Sequence, residues 1–146
     1  MRLARRLFLT TSALASLVLL TGCDIFGGGH TGTYTLKTVN GASLPAVIVQ
    51  VGTTYKLEIT AGSATLNEDN TFSASITFQE TQATQTGTQT QTTTENESGT
   101  YTKSGNTITF SSSGATGPSY TGALSGGTLT ITTEEEDVVV VLIFEK

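Results

Sequence analysis

The sequence predicts an all-β domain, an antiparallel meander of about eight to ten short strands closed into a barrel, preceded by a signal-peptide helix. Three observations carry that prediction. Thr fills 28 of the 124 residues from Cys23 onward and, with Val, Ile, Tyr and Phe, gives a composition suited to a pleated, half-buried surface. Short runs of alternating polarity recur along the chain, bounded by Gly, Asn, Asp or Ser. After residue 30 no stretch carries the three-to-four-residue apolar spacing of an amphipathic helix.

The chain divides into three parts: residues 1–22, 23–30 and 31–146. Arg2, Arg5 and Arg6 form a cationic start, and Leu7 to Leu20 is a largely apolar run of 14 residues. A membrane-spanning helix needs roughly 20 residues, so this run reads as a cleaved export signal. Arg5-Arg6-Leu7-Phe8-Leu9 is similar to a twin-arginine export motif, with the general secretory route as the alternative. Leu20-Thr21-Gly22-Cys23 closes the run and resembles the lipobox of bacterial lipoproteins. The resemblance implies recognition through Leu20, Thr21 and Gly22, cleavage before Cys23, and a covalent lipid on the Cys23 thiol. Two or more acyl chains give stable membrane attachment where one does not. The implied location is the bacterial cell envelope, on the extracytoplasmic side of the inner or the outer membrane. Residues 24–30, Asp-Ile-Phe-Gly-Gly-Gly-His, form a short tether, because three successive glycines support neither helix nor strand.

The domain then unrolls strand by strand. Gly32–Val39 leads into Asn40-Gly41, a tight-turn dipeptide. Ala46–Val51 follows Pro45, which lacks the N–H a ladder needs and so suits a strand start. Thr54–Thr60 alternates Tyr55, Leu57 and Ile59 with Lys56, Glu58 and Thr60, and Ser63–Leu66 is expected as a separate strand. After the Asn67–Asn70 turn, Thr71–Gln79 puts Phe72, Ala74, Ile76 and Phe78 on one face. Residues 80–97 are rich in Thr and Gln. Their period of two on both sides of Gly87 predicts a polar hairpin with a mobile tip, against the alternative of a disordered low-complexity loop. Gly99–Lys103, Thr107–Ser111, Tyr120–Leu124 and Thr128–Thr133 complete the alternating strands, joined by Ser/Gly/Asn turns and a loop over 112–118. Glu134–Asp137 reads as a solvated acidic turn. Val138–Phe144 is apolar at every position, as expected of a strand covered on both sides. Tight turns force antiparallel neighbours, and pairing of the last strand with the first closes the wall.

Composition excludes several functions. From Cys23 onward four lysines stand against twelve acids, a net charge of −8, which opposes binding to nucleic acid and offers nothing to an anionic membrane surface. The single histidine, His30, lies on the tether, and Cys23 is the only cysteine. No Ser/His or Cys/His nucleophile pair and no His/Cys metal site can be assembled from this set, so neither an enzyme, a metal nor a cofactor beyond the covalent lipid on Cys23 is expected. Glu58 and Glu80 are both expected to face outward, too far from a shared cleft for paired acid–base work.

The Gly32-Thr33-Tyr34 opening, Asn40-Gly41, Leu44-Pro45, the recurrence Gly99-Thr100-Tyr101, Tyr120-Thr121-Gly122 and the closing apolar strand together resemble small lipocalin-like lipoprotein domains. Where typical lipocalins carry Trp after the opening Gly, this chain has Tyr34. The resemblance implies a lipocalin-like barrel over 31–146 and an interior able to hold a small apolar or amphipathic ligand. Tyr34, Tyr55, Leu57, Phe72, Ile76, Phe78, Tyr101, Phe110 and Tyr120 are the candidate lining residues. Barrels of about eight strands are either filled by side chains or hold one small ligand. Two roles stay open: a ligand carrier with an interior void, or a solid-core structural or interaction module that works through its outer surface and the Thr/Gln hairpin. The lipid anchor makes the membrane one partner, and the sequence names no protein partner.

Overall fold

The computed structural model describes residues 29–113, 119–135 and 138–146, with backbone only at 134, 135 and 138. The signal segment, the lipobox, Cys23, most of the tether and residues 136–137 of the acidic run lie outside the described residues. Ten strands follow in chain order: β1 (Gly32–Val39), β2 (Ala42–Ser43), β3 (Ala46–Val51), β4 (Tyr55–Leu66), β5 (Thr71–Thr84), β6 (Gly87–Ser104), β7 (Thr107–Ser112), β8 (Tyr120–Ser125), β9 (Thr128–Glu135) and β10 (Val138–Glu145).

Every pairing is antiparallel, and neighbours run β2-β1-β10-β9-β8-β7-β6-β5-β4-β3. β1 also pairs with β4, Gly32 opposite Leu66 through Thr35 opposite Ser63. That contact closes an eight-stranded barrel of β1 and β4–β10, the all-β meander expected from the sequence, and closure leaves the wall without an edge. The last strand does pair with the first, Leu36 opposite Phe144, but the wall closes only when β1 meets β4 as well. β2 and β3 lie outside the ring, because β1 and β4 diverge below Thr35. β2 then pairs with the lower part of β1, and β3 with the lower part of β4.

Turn chemistry follows the local sequence. Asn40 and Gly41 take positive φ of 51° and 79°, the conformation that Asn-Gly adopts at low cost in a two-residue hairpin. The Asn40 side chain also accepts the Val141 N–H at 2.8 Å, tying this turn to β10. Asp69 closes the β4–β5 turn by accepting both the Thr71 N–H and its hydroxyl, and these bonds hold the Asp69 carboxyl below its ordinary range.

Several expectations are corrected. The strands expected over 54–60 and 63–66 are one strand, β4, because a bulge at Thr60 carries the ladder through; the Thr60 hydroxyl donates to the Thr77 carbonyl at 3.2 Å. The acidic turn is shorter than expected, since Glu134 and Glu135 belong to β9, opposite Val139 and Val138. β10 is not covered on both sides: Val139, on its outer face, is 51% exposed. His30 is not a free linker residue. Its carbonyl accepts the Tyr34 hydroxyl at 2.6 Å, and its ring meets Tyr101 edge-on at 5.9 Å.

The barrel has two unlike ends. At the upper end lie the chain entry at Gly29–Thr31, the turns at 67–70 and 126–127, and Lys146, whose ammonium donates to the carbonyls of Gly29 and Thr31. From the lower end β5 and β6 run on together. β6 leaves β7 at Gly99, yet the β5–β6 ladder continues from Ser73 opposite Ser98 to Thr84 opposite Gly87. Twelve further residues at ~3.3 Å each make this ribbon roughly 40 Å long. The expected Thr/Gln hairpin is therefore present as an ordered ladder whose β6 residues, Gly87–Ser98, are exposed on both faces.

Candidate functional site

The barrel's centre is solid. Tyr34, Leu36, Leu66, Phe72, Tyr101, Ile108, Phe110, Leu129 and Phe144 are all buried in one cluster. Phe72 meets Phe110 edge-on with ring centroids 5.0 Å apart, and Tyr120 stacks on Phe110 at 4.9 Å with planes 20° apart. Such pairs add roughly 0.5–1.5 kcal/mol each beyond the area they bury. The buried tyrosines have partners: Tyr34 donates to the His30 carbonyl, and Tyr101 to the Asn67 carbonyl at 2.7 Å. Burial pushes both phenols above their ordinary range, Tyr34 with a smaller contribution from Tyr101, and Tyr101 with one from Asp69.

The nine candidate lining residues thus fall into two groups. Tyr34, Phe72, Tyr101 and Phe110 fill the core, and half-buried Tyr120 packs against it. Tyr55, Leu57 and Phe78 instead meet at an open cleft at the lower mouth, on the ribbon's inward face, and Ile76 sits one residue pair above, packed against the core. Strand register explains the grouping. Residues directly opposite in an antiparallel pair share a face, so Leu57, Glu80 and Gln91 form one row, and Ile59, Phe78 and Thr93 the row above it. The inward face that fills the barrel at Phe72 continues onto the ribbon, where the opposing strands have ended.

The cleft holds about 280 Å³ and is lined by Tyr55, Leu57, Phe78, Glu80, Gln91, Thr93 and Glu95. Glu80 corrects the sequence reading. It faces inward with Phe78, not outward, because it keeps the parity of Phe72, Ile76 and Phe78 along β5. Glu58 does face outward and pairs with Lys56 at 2.9 Å, so the sheet separates the two carboxylates. Period two pointed to Glu80 inward as surely as to Phe78; its charge alone argued for the outside.

Higher on the same face, Glu97 sits at the barrel rim. It accepts the Tyr120 hydroxyl at 3.0 Å and the Ser112 hydroxyl. Burial, then the Glu97 charge and hydrogen bond, raise the Tyr120 phenol far above its ordinary range. Among the described residues no group of three or more His, Cys, Asp or Glu side chains comes together as a metal site.

The outward face is a hydroxyl surface. Thr33 and Thr65 join at 2.9 Å, Ser63 and Ser75 at 3.1 Å, and Thr77 and Thr94 at 3.0 Å. The apolar departures are β3, with Val47, Val49 and Val51 between 42% and 57% exposed, and Val139 on β10. Compared with known proteins, the chain matches no family model, no curated protein and no solved structure.

Proposed function

We propose that this chain is a lipid-anchored, non-enzymatic module of the bacterial cell envelope: a solid lipocalin-like barrel that holds the β5–β6 ribbon out from the membrane as its working surface. One observation carries the reading. The barrel is filled, and the ribbon leaves it at the end opposite the one where Lys146 holds Gly29–Thr31. Gly29 is six Cα–Cα steps from Cys23, a reach of at most roughly 22 Å. A lipid on Cys23 therefore keeps the upper end near the bilayer and turns the ribbon away from it.

The ribbon suits recognition. From Thr88 to Glu97 no strand among the described residues lies beside the outer edge of β6, whose outward N–H and C=O groups can pair with another strand. The filled core favours this role over a ligand held inside the barrel.

Two measurements on cells making the full chain test the proposal. Cys23→Ser shifts the chain from the membrane to the soluble fraction. A photo-crosslinking side chain at Gln89, on the ribbon, gives discrete adducts, whereas one at Thr109, on the barrel wall, does not. Membrane retention of Cys23→Ser removes the anchor from the proposal, and equal adducts from both positions remove the ribbon.

A further inference from the structure

The cleft on the ribbon's inward face supports an assignment that depends on neither the lipid nor a protein partner. Glu80 is partly buried between apolar neighbours on β4 and β5 and the polar Gln82 and Gln91. Leu57 lies opposite it on β4, Phe78 precedes it on the same face of β5, and Tyr55 stands one row below Leu57. A carboxylate beside apolar Leu57 and Phe78 favours a counter-charge that also covers those side chains. The described residues provide none there. Among the described residues the one ion pair is Lys56–Glu58, on the opposite face. Lys146 is bound to carbonyls at the upper end, and Lys103 lies exposed at the upper end of β6. Lys37 is exposed on β1.

We propose that this cleft binds a small organic cation with an apolar body, of the aryl- or alkylammonium class. The ammonium sits against Glu80, the apolar body covers Leu57, and the Tyr55 and Phe78 rings offer faces that attract a cation. Gln91 and Thr93 form the polar rim. The cleft, at about 280 Å³, stands at the small end of ligand sites. Glu95 adds a second negative charge on the same face but further off. Glu80 is four residue steps along β5 from Ile76, the residue opposite Glu95, a span of roughly 13 Å. That span is too wide for both carboxylates to hold one metal ion. An anion meets two carboxylates and a chain of net charge −8 from Cys23 onward, and is repelled.

The test is calorimetric and NMR titration of benzyltrimethylammonium into the purified full chain in neutral detergent at low salt, with benzenesulfonate as the anionic counterpart. The expected result is saturable binding of the cation, with shifts centred on Tyr55, Leu57 and Phe78, and no saturable binding of the anion. Glu80→Gln weakens cation binding about tenfold, the scale of a lost charge-assisted contact. Glu58→Gln, on the opposite face, leaves it unchanged. Absence of saturable cation binding, equal binding of both ions, or equal losses in Glu80→Gln and Glu58→Gln overturns the assignment. None of these readouts uses Cys23 or a crosslinked partner, so this assignment and the tethered-ribbon reading stand or fall separately.

Discussion

Gly99 shows how much one residue decides in a filled barrel. A Cβ there would lie 2.1 Å from the Ser111 carbonyl oxygen and 2.9 Å from the Phe72 ring. Neither neighbour can retreat, one being backbone and the other core. Gly99→Ala is expected to cost about 3 kcal/mol, read as a lower denaturant midpoint. Gly105→Ala is the control. It has open space around it and a positive φ of 59°, so its cost is only the left-handed penalty, about 1 kcal/mol. The tyrosines set the alkaline limit. Tyr34, Tyr101 and Tyr120 all have phenols raised above the ordinary value, so the fold favours their neutral, protonated form. That stability is fully present below the unfolded phenol value, near 10, and drains away as pH rises through the folded values. Circular dichroism followed with tyrosinate absorbance is expected to show unfolding and ionisation together above about pH 10. In Tyr120→Phe the absorbance change is smaller, while the transition remains.

At the scale of elements, the ribbon and the wall differ in what holds them. β5 has strands on both sides along most of its length, whereas β6 from Gly87 to Glu97 is exposed on both faces and, among the described residues, laddered only with β5. Little apolar area is lost when its tip is removed. Replacing residues 81–90 by Asn-Gly, which joins the facing pair Glu80 and Gln91, is expected to change unfolding free energy by about 1 kcal/mol or less. Thermal melting reads the effect. Hydrogen exchange on the intact chain is expected to be fast along the outer edge of β6 beyond Ser98 and slow in β7–β9, which are paired on both sides. The same openness serves recognition, since an edge that another strand can join cannot already be filled.

At the scale of the molecule, the barrel stands or falls as one cluster. Phe110 on β7 touches Phe72 on β5 and Tyr120 on β8, and those two rings also meet, 6.5 Å apart. Phe110→Ala removes both aromatic contacts and leaves a cavity no neighbour can fill. The expected cost is about 3–5 kcal/mol, with an unchanged denaturant slope if unfolding stays all-or-none. The acidic chain is kept from edge-to-edge association along its wall by closure, since β1 meets β4. Among the described residues only β2, β3 and the ribbon retain unpaired edges, so strand-mediated assembly through these residues passes through them.

Local pattern alone determined the strands and the inward set. Period two put Phe72, Ile108, Phe110, Leu129 and Ile131 inside, and Asn40-Gly41 set the first turn, because side-chain parity and turn conformation are properties of neighbouring residues. Parity cannot say whether an inward residue has anything opposite it. Phe72 and Phe78 share one face of one strand, yet Phe72 is sealed in the core while Phe78 floors an open cleft. The difference lies in where β7 to β10 end, which is a fact about other strands. The bulge at Thr60, the closure of β1 on β4 and the exclusion of β2 and β3 from the ring were likewise decided only by the tertiary structure. Each depends on pairing between residues distant in the chain, where local spacing carries no information.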